Sequence, residues 1–373
     1  SPTLTEGFQP PPYPYDRLDE LKAVADALPG GCVDLSIGTP IDPPPAAVVD
    51  ALAGSGAERG YPPSIGSAPY RRAAAGWLAR RLGVTVDPDG LAACVGTKEF
   101  VVGTPSFLKL RAPDRDTVLH PQVAYPSYAM GATLARCRSV AVPPSPDGTL
   151  DLDAISAADA ERALCLWVNS PGNPAGRLDD LGAAAAWGRA HGVPVLSDEC
   201  YVEFTWDGPP RSILEHGIEG VLAVHSLSKR SNLAGVRAGF YAGDPELVTY
   251  LREVRKHAGM MVPGPVQAAA VVAWEDDAHV DEQRARYRRR LELMAEVLAE
   301  AGIPGELPAG AFYLWVPAPD GDAWALTRRL AADGGALVAP GEFYGGEDHV
   351  RIAVVQPDDR LELVARRLGR ASR

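Results

Sequence analysis

Short apolar runs alternate with helical patterns through the first two thirds of the chain. Thr117-Val-Leu-His120, Ser139-Val-Ala-Val142, Ala163-Leu-Cys-Leu-Trp-Val168, Val193-Pro-Val-Leu-Ser197 and Gly220-Val-Leu-Ala-Val-His225 each read as a strand. Helical patterns lie between and after them, as at Leu178–His191 and Pro245–His257. This alternation predicts an α/β fold, with parallel strands and helices on both faces of the sheet. A long charged helix is expected over Pro265–Ala301. Beyond it the pattern changes, and Ala311-Phe-Tyr-Leu-Trp-Val316 and Val350-Arg-Ile-Ala-Val-Val355 predict strands of a smaller α+β unit. Pro10–Pro14 reads as an extended arm.

In such sheets ligands bind beyond the carboxyl ends of the strands. The chemically suggestive residues fall there: Asn169 to Gly176 after one strand, Asp198 after the next, and Ser226 to Lys229 after a third. Lys229 is the most informative of them, because the chain has five lysines against thirty-one arginines. Arginine stays protonated, whereas a lysine amine can lose its proton and attack a carbonyl. The hydroxyls of Ser226 and Ser228 flank Lys229, and Arg237 follows eight residues on. Hydroxyls and a guanidinium suit a phosphate, and the amine suits an aldehyde. Pyridoxal 5′-phosphate carries both groups.

Other segments have a bland and a chemical reading. Gly96 and Thr97 in Val95-Gly-Thr-Lys-Glu99 form either a simple helix cap or a phosphate cradle, since glycine permits close approach and the first helical N–H groups face an anion. Ser170-Pro-Gly-Asn-Pro-Ala-Gly176 is dense in turn formers, yet it fixes Asn173 where its amide can meet a phenolic oxygen. Asp198 is a surface carboxylate or cap, or else the partner of a protonated pyridine nitrogen. Tyr201 can reach the same phenolic oxygen if its segment turns helically. Tyr125 is core, or a face for ring stacking.

The remaining composition narrows the class. A formal charge of −12 disfavours nucleic acid or an anionic membrane as the main partner. No apolar run is long enough to span a bilayer, and the start lacks the features of an export signal. Five scattered cysteines without a C-x-x-C pair favour free thiols in a reducing cytoplasm. The seven histidines show no ligand spacing, so no metal is expected.

Taken in order, these motifs resemble the fold-type-I pyridoxal-phosphate aminotransferases of class I/II over roughly Gly31 to the C-terminus. The closer likeness is to the actinobacterial N-succinyldiaminopimelate aminotransferases. It rests on Val33–Pro43, Gly96-Thr-Lys-Glu99, Ser197-Asp-Glu-Cys-Tyr201, His225-Ser-Leu-Ser-Lys229, Arg255–Pro263 and Leu337–Gly345. The resemblance implies an N-terminal arm with part of the small domain over 1–40. A large cofactor-binding domain would span 41–264, and an interdomain helix with the small domain 265–373. It also implies roles. Lys229 would hold the cofactor as a Schiff base and shuttle the α-proton. Asp198 would face the pyridinium, Asn173 and Tyr201 the phenolic oxygen, and Tyr125 the ring. Gly96, Thr97, Lys98, Ser226, Ser228 and Arg237 would surround the phosphate, and Tyr61 would reach the neighbouring subunit's phosphate, making the site a property of a homodimer. Arg351 would fork the substrate α-carboxylate, read without the family as a surface ion pair, and the Gly38 N–H would assist it.

The expected substrates are glutamate with 2-oxoglutarate, and N-succinyl-2-amino-6-oxopimelate, in lysine and diaminopimelate biosynthesis. Both carry a distal carboxylate, so a second cation is expected: Lys256 within Arg255-Lys-His257, just before Met260-Met-Val-Pro263, which the resemblance places across the dimer interface, ahead of Arg72, Arg211 and Arg230. Val236 stands where an aromatic is expected, and the residues Gln122-Val-Ala124 leave the stacking face open. Alternatives are an aminotransferase for another amino acid, including aromatic and branched ones, or a C–S β-lyase. A cofactor-binding transcriptional regulator, which would need a basic DNA-binding domain, and a non-catalytic protein fit less well.

Overall fold

The structure, a computed structural model, describes residues 7–371. Residues 1–6, which belong to the expected arm and to the start that lacks an export signal, lie outside the described residues, as do 372–373. The strands are β1 (Val33–Asp34), β2 (Leu91–Cys94), β3 (Thr117–Pro121), β4 (Arg138–Val142), β5 (Ala163–Asn169), β6 (Val195–Asp198), β7 (Val221–Ser226) and β8 (Gly239–Gly243). After a helical interval come β9 (Tyr313–Pro317), β10 (Ala336–Leu337), β11 (Ala339–Pro340) and β12 (His349–Ala353).

Seven strands form the central sheet in the order β2-β8-β7-β6-β5-β3-β4. All pairs are parallel except those of β8, which is antiparallel to both β2 and β7. The apolar runs of β5, β6 and β7 are buried along their whole length, as a strand covered by helices on both faces requires. Their register places Asn169 beside Asp198, and Asp198 beside Val224, so three carboxyl ends meet in one rim. β9, β11 and β12 make a separate antiparallel sheet, and β1 pairs with β10 in parallel. The side chains of this second region pack around Tyr287, Phe312 and Leu314 in a core of their own.

The helices start where the sequence supplies caps. Asp180 accepts from the Ala183 N–H to open Leu181–His191, and Asp244 accepts from Glu246 and Leu247 to open Pro245–His257. The expected continuous helix over 265–301 is instead two, Gly264–Glu275 and Ala278–Glu300. The break is local chemistry. The Asp276 carboxylate turns to the Ala278 N–H at 2.9 Å, while Arg80 forks Asp277 at 2.9 and 3.1 Å. An Asp side chain offering its own bond to the backbone competes with helix continuation. The arm at residues 8–13 has no regular structure and leads into a short 3-10 turn at Pro14–Leu18.

Candidate active site

A cavity of about 330 Å³ opens at the rim formed by β5, β6 and β7. Asp198 ends β6 and is buried; the Tyr128 hydroxyl donates to its Oδ2 at 2.7 Å and the Cys200 N–H to its Oδ1 at 3.3 Å. Burial pushes its carboxyl up from the usual value, against the pull of those hydrogen bonds. A carboxylate in that state is suited to pair with a cationic N–H. Beside it, Asn169 donates to the Asp198 carbonyl and accepts from the Asn173 N–H, which ties the turn after β5 to the end of β6.

Ser226 ends β7 and caps the short helix Leu227–Arg230, on which Lys229 stands. Lys229 Nζ donates to the Gly38 carbonyl and lies 5.9 Å from the Tyr201 ring centroid. Burial lowers its pKa to about 8, with the charges of Arg351 and Arg237 adding to the effect. A sizeable neutral fraction near neutral pH is what a nucleophilic amine needs.

A group the size of a phosphate fits one end of the cavity. Thr97 Oγ1 is buried without a partner among the described residues. Ser226 and Ser228 share a 2.9 Å hydroxyl bond, and the Arg237 guanidinium closes the same end. Gly96, at φ +75°, opens the helix Gly96–Arg111 there, and a Cβ on it would fall 2.8 Å from Arg237 Cζ. That left-handed backbone conformation favours glycine, and any added Cβ would push the guanidinium aside. At the other end Arg351 is buried in a sandwich, 4.3 Å above the Tyr313 ring and 4.4 Å from that of Tyr344. Its guanidinium donates to Asn173 Oδ1 at 2.9 Å and to the Ser36 carbonyl at 2.7 Å, and its buried Nε has no partner among the described residues. It is no surface ion pair.

Of the expected site residues, the cavity lining brings together Gly38, Thr97, Lys98, Tyr125, Asn173, Asp198, Tyr201, Ser226, Ser228, Lys229, Arg237 and Arg351. Gly96 adjoins it through Arg237, and Tyr61 is 96% exposed, projecting away from its own chain's core. Tyr125, not Gln122 or Val123, lines the cavity. Lys98 is exposed at the mouth, where its ammonium meets the Tyr125 hydroxyl at 3.2 Å.

None of the expected distal cations lines this chain's own cavity. Arg255 is buried and forks Glu99, whose carboxylate also receives the Val95 N–H, so it braces the start of the Gly96–Arg111 helix. Lys256 lies on the exposed side of the Pro245–His257 helix and does not line this chain's cavity. Arg72 is exposed, Arg211 pairs with Glu215, and Arg230 is buried between Trp77 and Trp274. Val236 packs toward Val48 and Val266, so its substitution for an aromatic leaves this chain's cavity lining unchanged.

Several lining residues were not legible as site residues: Tyr13 and Tyr15 from the arm, Tyr128, Cys200 and Tyr313. Tyr128 had a signal, standing one helical turn after Tyr125. Tyr313 had none, because within an apolar strand it reads as core.

The comparisons now decide the family. Residues 31–368 match the model for aminotransferase class I and II. The chain belongs to that family. It is a pyridoxal-phosphate enzyme of the fold-type-I architecture, and the orphan Thr97 hydroxyl, the Gly96–Arg237 cradle and the buried Asp198 carboxylate fit that cofactor. The aminotransferase is 45% identical over 368 residues to a 4-dedimethylamino-4-oxo-anhydrotetracycline transaminase of Streptomyces rimosus, covering 96% of this chain and 99% of that one. It is 33% identical to an LL-diaminopimelate aminotransferase of Desulforudis audaxviator, covering 96% and 95%. Among solved structures, a probable N-succinyldiaminopimelate aminotransferase of Thermus thermophilus superposes with a TM-score of 0.84 at 34% identity, covering 96% of this chain and all of that one, 100%. No helix among the described residues is long and apolar enough to cross a membrane.

Proposed function

We propose that this aminotransferase moves an amino group between glutamate and N-succinyl-2-amino-6-oxopimelate, as a cytoplasmic homodimer with shared sites. The charge distribution of the cavity is the observation that carries this reading. Its lining holds four cationic side chains, Lys98, Lys229, Arg237 and Arg351, and a single carboxylate, Asp198, at the floor. Arg237 serves the phosphate and Arg351 the substrate α-carboxylate, in a planar fork that lysine would not reproduce. Lys98 takes a distal role here in place of the phosphate role that the resemblance implies: it has no ion-pair partner among the described residues and stands at the mouth, where a distal carboxylate would arrive. A free distal ammonium, as in unacylated diaminopimelate, would find no carboxylate there, whereas an acylated nitrogen needs none. Tyr61, exposed on its own chain, serves the partner's phosphate.

Pyridoxal phosphate supplies the electron sink that stabilises a carbanion at the substrate α-carbon. The chain's own residues do the rest. Asp198 keeps the ring nitrogen protonated, Tyr125 stacks on the ring, and Asn173 and Tyr201 donate to the phenolic oxygen. Thr97, Ser226, Ser228 and the backbone at Gly96 hold the phosphate. Arg351, with the Gly38 N–H, orients the substrate so that its α-proton faces Lys229 Nζ, which takes it as a general base.

The test is a half-reaction in the spectrometer. Glutamate and N-succinyl-LL-diaminopimelate each convert the visible cofactor band to the near-ultraviolet form, while LL-diaminopimelate and phenylalanine do not. Equal conversion by the unacylated compound would overturn the substrate assignment. A second reading has its own support: the 45% identity to the anhydrotetracycline transaminase, with the aromatic mouth of Tyr13, Tyr15 and Tyr125, suits a polycyclic ketone. Amination of that ketone, with no response to the succinylated compound, would select it.

A further inference from the structure

The hydroxyl of Tyr201 has a partner that the cofactor reading leaves without a role. Tyr313, on β9, is buried and its Oη lies 2.6 Å from Tyr201 Oη, with the two rings set edge to face. Tyr313 is held there from three sides. Its ring carries the Arg351 guanidinium at 4.3 Å, it packs at 4.8 Å on Phe312, and a Cβ on Gly38 would fall 2.9 Å from its Cζ. The Gly38 backbone, whose carbonyl receives Lys229 Nζ, therefore passes close to the hydroxyl end of this ring.

A hydroxyl has one proton to donate. If Tyr201 gives its proton to the anionic phenolic oxygen, the short bond between the tyrosines runs from Tyr313 to Tyr201. We infer that Tyr313 is a positioning residue whose hydroxyl donates to Tyr201 and thereby fixes Tyr201 as a donor to the cofactor's phenolic oxygen. Tyr313 keeps its proton for this purpose: burial raises its pKa to about 12, against the opposing charge of Arg351. Accepting one bond makes the Tyr201 hydroxyl a better donor of the other, the cooperative strengthening expected of hydrogen-bond chains at low dielectric. The inference rests on the assignment of Tyr201 to the phenolic oxygen.

The consequence is a shift in the cofactor's own titration. Donors on the phenolic oxygen draw electron density from it, weakening its hold on the proton of the adjacent Lys229 nitrogen. Removing such a donor raises the pH at which that proton leaves, and the visible band reports it. The experiment measures the midpoint of that band in holoenzyme of wild type, Tyr201→Phe, Tyr313→Phe and the double variant. Tyr313→Phe keeps the ring under Arg351, so retention of the band shows an assembled site.

Tyr201→Phe is expected to raise the midpoint most. Tyr313→Phe is expected to raise it by roughly 0.1 to 0.3 of a unit, the cooperative share of one ordinary hydrogen bond expressed as a pKa change. The double variant should titrate like Tyr201→Phe alone, because Tyr313 acts through Tyr201. A wild-type midpoint in Tyr313→Phe, with Tyr201→Phe displaced, overturns the role of Tyr313 and leaves that of Tyr201. Additive shifts in the double variant also overturn it. No displacement in either single variant overturns both assignments.

Discussion

The floor and the mouth of the cavity are built differently. At the floor, Asp198, Asn169, Asn173, Tyr201 and Arg351 are buried and bonded to one another, to the hydroxyls of Tyr128 and Tyr313 or to the backbone. At the mouth, Tyr13 is 57% exposed, and Lys98, also exposed, bonds only a neighbouring hydroxyl among the described residues. The floor is preorganised for charge that develops during reaction, which is where fixed dipoles are most effective. The mouth leaves one cation for the substrate to satisfy. On the proposed function, chemistry is set by the bonded end and choice of substrate by the unbonded end.

Changes at the floor should therefore be severe whatever the substrate. Lys229→Ala should lower kcat about 10⁴-fold or more, measured by steady-state transamination, since a general base and the covalent anchor are lost together. Arg351→Lys should cost roughly 10²-fold in kcat/KM for every α-amino acid, through loss of the fork and of its sandwich between Tyr313 and Tyr344. Gly96→Ala should weaken cofactor affinity about tenfold in equilibrium dialysis, because a left-handed backbone and a crowded Arg237 oppose the added Cβ. The pH effect is gentler. Cofactor adds to the apoprotein through neutral Lys229, so the rate of reconstitution should rise with pH and level off above about 8. The smallest effect falls furthest from the cavity: Lys256→Ala should change KM for a dicarboxylic substrate by less than about twofold, as expected of an exposed charge. A larger rise would mean that Lys256 reaches the partner's site.

The same contrast governs what could be read in the sequence. β5, β6 and β7 were legible because buried parallel strands are continuous apolar runs, and the residues at their carboxyl ends follow from that placement. β8 was not, since Gly239-Phe-Tyr-Ala-Gly243 carries a glycine at each end and neither length nor pattern marks it as a strand. Lys229 and Arg230 show the limit of adjacency. The first reaches the cavity, while the second turns its guanidinium to Ser231 and the Ala273 carbonyl. Tyr15 and Tyr313 come into the site from opposite ends of the chain, and such long-range contacts leave no local signature. The distal cation depends on packing for a related reason. Arg255 and Lys256 looked available in sequence, but the packing of one helix buries the first against Glu99 and turns the second to solvent.

The division of labour between floor and mouth is tested most directly by single-turnover kinetics of Lys98→Ala. N-succinyl-LL-diaminopimelate and alanine would each be mixed with the pyridoxal form, and loss of the visible band followed across concentration. The concentration for half-maximal rate should rise about fivefold for the succinylated substrate, the worth of one exposed charge contact, with its saturating rate and both alanine parameters unchanged. An equal change for both substrates, or a fall in the saturating rate, would place Lys98 in the common machinery and contradict the account.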